Sequence, residues 1–275
     1  MKTIYFDTSI YNKLIIDEVI KSKIISLKNK GKIQIIFSEY LFDELLCTYL
    51  KDPNKTKKIF QCVLEIISEK VLKQMEILIK DEVYSFILGD SQRRKIFFDQ
   101  EQRESIFKTM KKLARGDDVP NKKSIQDILV LKKERLRNIN DVYKKYQPKK
   151  TLNDGKRSSF EEFYTSISTK KEENEFLIKL LENKIQVEKR FFQKIIGNIN
   201  NLQYLRSYLR MISAYQYALS DYFQRPGRGD DYDLRHAIVA SSLDLFVCDH
   251  NFKKIIQWAL PGNNILTFDE YLTRI

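Results

Sequence analysis

Turn-forming residues are scarce in this chain. Eight glycines and five prolines in 275 residues exclude collagen-like and linker-dominated classes and leave few places for tight turns, so long helices are expected to fill much of the length. Cysteine is scarcer still. Cys47, Cys62 and Cys248 are odd in number and far apart, with no C-x-x-C pair, which excludes a disulfide frame and a cysteine-built zinc site. No apolar run approaches the roughly 18 residues of a membrane-spanning helix, and Asp7 interrupts the first apolar stretch before it could serve as a signal h-region. A soluble, reducing, cytoplasmic setting with no membrane partner is therefore expected. A Gly-rich phosphate loop is also missing, which removes P-loop nucleotide hydrolysis.

What is present points to a folded protein with one unusual region. Hydrophobic residues make up 43% and aromatics 12%, too much apolar surface for an intrinsically disordered chain. The length suits one domain with a large elaboration or two modest domains. The formal net charge is +12, and it is unevenly spread. Residues 1–51 and 226–275 together balance, whereas residues 52–225 hold 36 basic and 24 acidic side chains and so carry the whole excess. Clusters such as Arg93-Arg94-Lys95, Lys122-Lys123, Lys132-Lys133, Lys144-Lys145 and Lys149-Lys150 are solvated faces taken singly. Their sum favours a polyanionic partner, because neutralising phosphates releases condensed counterions.

The two ends alternate strand and helix patterns. Thr3–Phe6 is a short apolar run, Tyr11–Leu27 has helical spacing, Ile33–Phe37 is β-branched, and Ser38 is placed to cap a helix from Glu39 to about Leu50. Near the C-terminus, Asp230 or Asp231 can cap a helix running to about Ser242. A strand at Leu245–Cys248, a helix at Phe252–Trp258, a strand at Ile265–Thr267 and a short helix near Tyr271 follow. Such alternation predicts an α/β fold of three layers, α/β/α, around a central, mostly parallel sheet. The middle shows helical stripes instead, among them Ile59, Val63, Ile66 and Ile67, and Leu202, Leu205, Leu209, Ile212 and Leu219. Breaks are expected near Gly89, Gly116–Asn121, Gln147–Ser158 and Gly197. The expected organisation is a discontinuous α/β domain, 1–51 plus 226–275, interrupted by a large, basic, all-α insertion at 52–225.

In a parallel α/β sheet, ligands bind beyond the carboxyl ends of the strands. Asp7 directly follows the first strand and Asp249 directly follows LFVC, while Asp233 falls in the first turn of a late helix and Glu44 in the helix after IQIIF. Alone, each is an ordinary cap or turn former. Together they form a set whose mutual repulsion bound cations would relieve, and hard oxygen donors suit Mg²⁺ or Mn²⁺. A pair of such ions can drive phosphodiester hydrolysis.

IYFDTS, FSEYLFDEL and DLRHAIVASSLDLFVCDHNF resemble the signature pieces of the PIN-domain nucleases. Those have an Asp-Thr/Ser pair after the first strand, a Glu in a helix after the second, an Asp opening a helix, and a final Asp after the next strand. The resemblance covers about 100 residues at the two ends, and maps this pattern onto Asp7, Glu44, Asp233 and Asp249. Thr8 and Ser9 are the small hydroxyl residues beside the first acid, and Phe252 is the aromatic that follows the last. Cys248 stands where the family often has Thr. The resemblance implies a metal-dependent endonuclease of the toxin or defence type, ribonuclease favoured over deoxyribonuclease. Asp7, Asp233 and Asp249 would hold a two-ion Mg²⁺ or Mn²⁺ site, with Glu44 as ligand or base. Asp231 is the alternative third ligand by register. An antitoxin or other protein partner, or a second copy of the chain, could complete the unit. A catalytically silent module that binds nucleic acid or protein is the alternative function.

Around these acids, Arg228 and Arg235 are candidate phosphate clamps, against a plain surface or ion-pair role, and His236, one turn after Asp233, could approach the scissile phosphate, although a packing or capping role is the reading preferred. Tyr204, Tyr208, Tyr215, Tyr217 and Trp258 read as core rather than as stacking platforms. Haloacid-dehalogenase-type chemistry wants Asp-x-Asp where this chain has Asp7-Thr8-Ser9, and a Toprim-like reading leaves Asp7 and Asp249 unexplained.

Overall fold

The computed structural model describes residues 1–49, 51–90, 95–117, 125–130, 133–134, 137, 159–168, 177–221 and 230–275. Its elements run β1 (Lys2–Phe6), α1 (Thr8–Leu14), α2 (Glu18–Asn29), β2 (Ile33–Ser38), α3 (Glu39–Tyr49), α4 (Pro53–Ile66), β3 (Ile67–Leu72), α5 (Met75–Leu88) and α6 (Gln100–Arg115). Then come α7 (Phe160–Ser168), a π-helical turn at Leu180–Ile185, α8 (Phe192–Ile196), α9 (Gln203–Asp221), α10 (Asp230–Ala240), β4 (Leu245–Cys248), α11 (His250–Ala259), β5 (Ile265–Thr267) and α12 (Phe268–Leu272). The strands form one sheet in the order β3-β2-β1-β4-β5, every neighbour parallel. The expected α/β class and parallel sheet are thus present.

Side-chain alternation along the strands sorts the helices into two layers. Tyr5, Ile36, Phe246, Cys248 and Ile265 face a core shared with α5, α7, α9, α10 and α11. Ile4, Phe6, Ile35, Phe37, Val247 and Leu266 face a second core shared with α1, α2, α3, α4, α6 and α12. Strands buried on both faces must be apolar at nearly every position, which is why these runs were readable in the sequence. Helix boundaries follow local chemistry. Asp7 and Ser38 cap α1 and α3 through their side chains, and Gly89 and Gly116 close α5 and α6 with φ of 68° and 87°, a region costly for residues with a Cβ.

Two expectations are corrected here. The segment 52–225 is not all-α, because β3 lies within it and forms the edge of the sheet. Its sequence, ISEKVL, exposes Glu69 and Lys70 at its centre, and the pairing jumps from Ile35↔Ile67 to Phe37↔Val71. The two charged residues sit in an irregular stretch that blunts the edge and hides the strand's period. Helices of this segment also enter both cores, α5, α7 and α9 on one face and α4 and α6 on the other. The single helix expected over Tyr11–Leu27 is two, because the Asp17 carboxylate accepts from the Ile20 amide at 2.9 Å and starts α2 afresh. The expected loop at Gln147–Ser158 and the Arg93-Arg94, Lys122-Lys123, Lys144-Lys145 and Lys149-Lys150 clusters lie outside the described residues.

Candidate functional site

The chain builds β1, β2 and β3 outward in one direction, then returns to add β4 and β5 on the other side of β1. The strand order therefore reverses between β1 and β4, where a crevice opens at the carboxyl ends. Asp7 and Asp249 are the residues directly after these two neighbouring strands. The Asp7 amide donates to the Val247 carbonyl at 3.0 Å, which fixes its place beside β4. Its carboxylate accepts from the Thr8 amide at 2.7 Å and the Ser9 hydroxyl at 3.1 Å, and the residue is only 6% exposed. Asp249 occupies the N-cap position of α11 without capping it through its side chain, and it is exposed.

Glu44 comes to Asp7 from α3. Its Oε2 accepts from Thr8 Oγ1 at 2.5 Å and lies 3.1 Å from His236 Nε2. His236 is fully buried, and its Nδ1 lies 2.6 Å from the Tyr5 hydroxyl, which in turn lies 2.5 Å from Ser38 Oγ. With Glu44 as acceptor, one proton order satisfies the chain. Ser38 donates to Tyr5, Tyr5 donates to Nδ1, and Nε2–H donates to Glu44. One ligand atom from each of Asp7, Glu44 and His236 lies within 4.8 Å of the others. The two carboxylates are hard oxygen donors that suit a divalent cation, while His236, engaged through both ring nitrogens, orients Glu44.

Electrostatics link the other two acids to this place. The Cys248 thiol is pushed up by burial first, then by the charges of Asp7, Asp233 and Asp249, with Lys253 opposing. The three aspartates thus act on one buried atom at the end of β4. Asp231 serves another cluster. Its Oδ2 pairs with Arg235 Nε at 3.0 Å, and the same guanidinium pairs with Glu76 and donates to the Tyr40 hydroxyl at 2.9 Å.

The site residues expected from sequence sort accordingly. Asp7 and Glu44 lie within 4.8 Å of each other, and Asp233 and Asp249 bear on the same Cys248 thiol as Asp7. Thr8 and Ser9 are engaged by Glu44 and Asp7. Arg235 is not a free phosphate clamp, because its side chain is 13% exposed and held by two carboxylates. His236 does not reach solvent and sits behind Glu44 rather than at a phosphate position. Arg228 lies outside the described residues. Tyr5 and Ser38 were missed; the only signal was that Tyr5 alternates with Ile4 and Phe6 and so turns toward the α10 side.

Burial sets the protonation behaviour of the centre. Burial raises the Asp7 carboxyl above the usual range, His236 opposes this, and the nearby Glu44 charge adds to it. Burial likewise raises the Tyr5 hydroxyl well above its usual range, so it stays a hydrogen-bonding phenol. No protein-family model matches this chain, and no curated protein and no solved structure matches it significantly.

Proposed function

We propose that the chain is a metal-dependent nuclease of the PIN-like kind, hydrolysing phosphodiester bonds, with RNA the favoured substrate. The observation that carries this reading is the meeting of Asp7 and Glu44 at the β1/β4 switch point, with Asp249 directly after the neighbouring strand. Resemblance of IYFDTS and the DLRHAIVASSLDLFVCDHNF segment to PIN-domain nucleases supports it from the sequence side.

Oxygen donors from Asp7, Asp233, Asp249 and Glu44 suit Mg²⁺ or Mn²⁺, and the approach of Asp7 and Glu44 to within 4.8 Å of each other supports a shared ion. When bound, the ion supplies Lewis-acid activation of the phosphodiester and of water. The chain's own residues orient the acids: Thr8 and His236 fix Glu44, and the Thr8 amide and Ser9 fix Asp7. As the third acid Asp233 is favoured over Asp231, because it bears on Cys248 alongside Asp7 and Asp249, whereas Asp231 pairs with Arg235. The toxin or defence setting, an antitoxin-like partner and a cytoplasmic location belong to the same proposal.

The test is incubation of the purified protein with labelled structured RNA, single-stranded RNA and single-stranded DNA, in Mn²⁺ or EDTA, beside Asp7→Asn. Metal-dependent cleavage that falls to background in the variant is the expected result. Cleavage unchanged by the substitution would overturn the reading, and binding without any cleavage would favour the silent module.

A further inference from the structure

Helix α6 carries two unlike faces. Ile106, Met110, Leu113 and Ala114 pack into the second core. Lys108, Lys111, Lys112 and Arg115 follow the i, i+3, i+4, i+7 spacing of one stripe and are exposed. Two adjoining grooves run along this helix and share Glu104, Phe107 and Lys111. The first is floored by Leu64 and Ile67 and edged by Lys28, Arg103 and Glu69, and the second is edged by the four stripe cations.

The stripe differs from the cations that the fold ties down: Lys21, Lys73, Arg210, Arg235 and Lys253 each meet a carboxylate. Among the described residues no ion pair involves the stripe cations, and Lys28 and Arg103 donate to the carbonyls of Glu65 and Glu69 instead. Like charges at i, i+4, as in Lys108/Lys112 and Lys111/Arg115, destabilise a helix. Cations in the last turn do favour the helix dipole, which accounts for Lys112 and Arg115 but not for Lys108 and Lys111. The stripe therefore works partly against the helix that bears it.

We infer that the α6 grooves form a docking track for the sugar-phosphate backbone of a single-stranded nucleic acid, a binding surface separate from the carboxylate centre. The stripe from Lys108 to Arg115 spans about 10 Å of helix axis, a length over which a strand presents successive phosphates. The half-buried Phe107 and the apolar floor offer a base a face to stack on, the combination of charge and aromatic contact that accommodates single strands of any sequence. The inference rests on the nuclease reading for its substrate class, and its test reads binding alone.

Fluorescence anisotropy in EDTA would follow a labelled single-stranded RNA, a single-stranded DNA and a duplex, each titrated with full-length Asp7→Asn protein and with the same protein carrying Lys108→Glu, Lys111→Glu and Lys112→Glu. These positions are exposed, and matching thermal melts verify the fold. Single-strand affinity is expected to fall at least tenfold, with the slope of log K against log salt shrinking by roughly 0.7 for each phosphate that the variant no longer neutralises, and with duplex binding weaker from the start. Single-strand affinity within twofold of the parent at an unchanged slope would overturn the inference, as would an equal loss on the duplex. A wild-type protein that cleaves nothing would count against the nuclease reading and leave these curves as they are.

Discussion

Two clusters flank α10, and each combines two carboxylates, one basic side chain and one tyrosine. In the first, Glu76 and Asp231 share Arg235 beside Tyr40. In the second, Asp7 and Glu44 meet His236 beside Tyr5. Burial works against charge in both, yet the outcomes differ. Arg235 overcomes it and holds the Glu76 carboxyl below the usual range, and the guanidinium is itself held further on the charged side, against its own burial, by Tyr40, Glu76 and Asp231. Asp7 goes the other way, raised by burial with His236 only partly opposing and Glu44 adding to the rise. The same ingredients hold a carboxyl below the usual range where the base is an arginine and leave one above it where the base is a histidine. On the proposed function, the second is where a cation would bind.

Removing the arginine should have the largest effect on the fold. Arg235→Gln leaves Glu76 and Asp231 without their counter-charge and unties α3, α5 and α10. Loss of a fully buried partner costs about 3–5 kcal/mol; the Glu76 side chain is 44% exposed, so about 2–3 kcal/mol is expected after solvent screening. Urea denaturation measures it. Cleavage by the folded fraction should be retained, and a selective loss of activity would show that the two clusters are not separate in role.

The matching change on the other side is Tyr5→Phe, which removes the hydroxyl holding His236 Nδ1 and leaves the acids in place. Partners that orient a ligand typically carry about 10–100-fold of metal affinity, so Mn²⁺ binding followed by calorimetry should weaken by that much. The fold should lose only about 1–2 kcal/mol, the cost of buried partners left unmade. Undiminished Mn²⁺ affinity would mean that the tyrosine packs the histidine without positioning Glu44.

These two clusters also mark where the sequence was legible. Asp7 and Asp249 could be placed because each follows an apolar run buried on both faces of the sheet, and the capping signal of Ser38 put Glu44 on the first turns of a helix. The hidden parts depend on distant partners. The ion-pair role open to Arg235 could not be tied to a partner because Glu76 lies 159 residues away in sequence, nor the packing role of His236 because Tyr5 lies 231 residues away. β3 was obscured by its own charged centre, and its apolar Ile67 continues the stripe of the preceding helix. Asp17 could have been read as a cap, but the apolar run Leu14-Ile15-Ile16 before it imitates an unbroken helix face.

Asp7→Asn probes the uncompensated charge directly, in metal-free protein. An acid raised on folding opposes the fold once it ionises: the cost is absent below the unfolded pKa and fully present above the folded one. The variant, which on the proposed function cleaves nothing, should therefore melt higher than wild type in EDTA at pH 7–8, by roughly 2–4 °C, the shift about 1 kcal/mol makes in a domain of this size. The advantage should vanish as pH falls through the ordinary carboxylate range, where both side chains are neutral. Adding Mn²⁺ should reverse the order, since a ligand that binds only the native wild-type site stabilises it by mass action. A variant that melts lower than wild type at every pH would show that Asp7 is a structural cap whose charge the fold needs.

The smallest effect belongs to an acid whose shift has the opposite sign. Glu270 lies on the rim near the same strand ends, paired with Lys253 Nζ at 2.5 Å and closing the capping box of α12 with Thr267. The Lys253 hydrogen bond first, then the Thr267 amide, hold its carboxyl down to about 2. A depressed acid stabilises the fold above its unfolded pKa and loses that contribution as pH falls toward 2. Glutamine can still serve a capping box, so Glu270→Gln removes the charge and keeps the cap. The side chain is 44% exposed, and screening limits the loss to under about 1 kcal/mol at pH 7. Melting curves of the two proteins should therefore differ slightly at neutral pH, converge as pH falls from about 4.5 to 2, and converge again in high salt. A difference that survives both acid and salt would place the contribution of Glu270 in the cap and not in the ion pair.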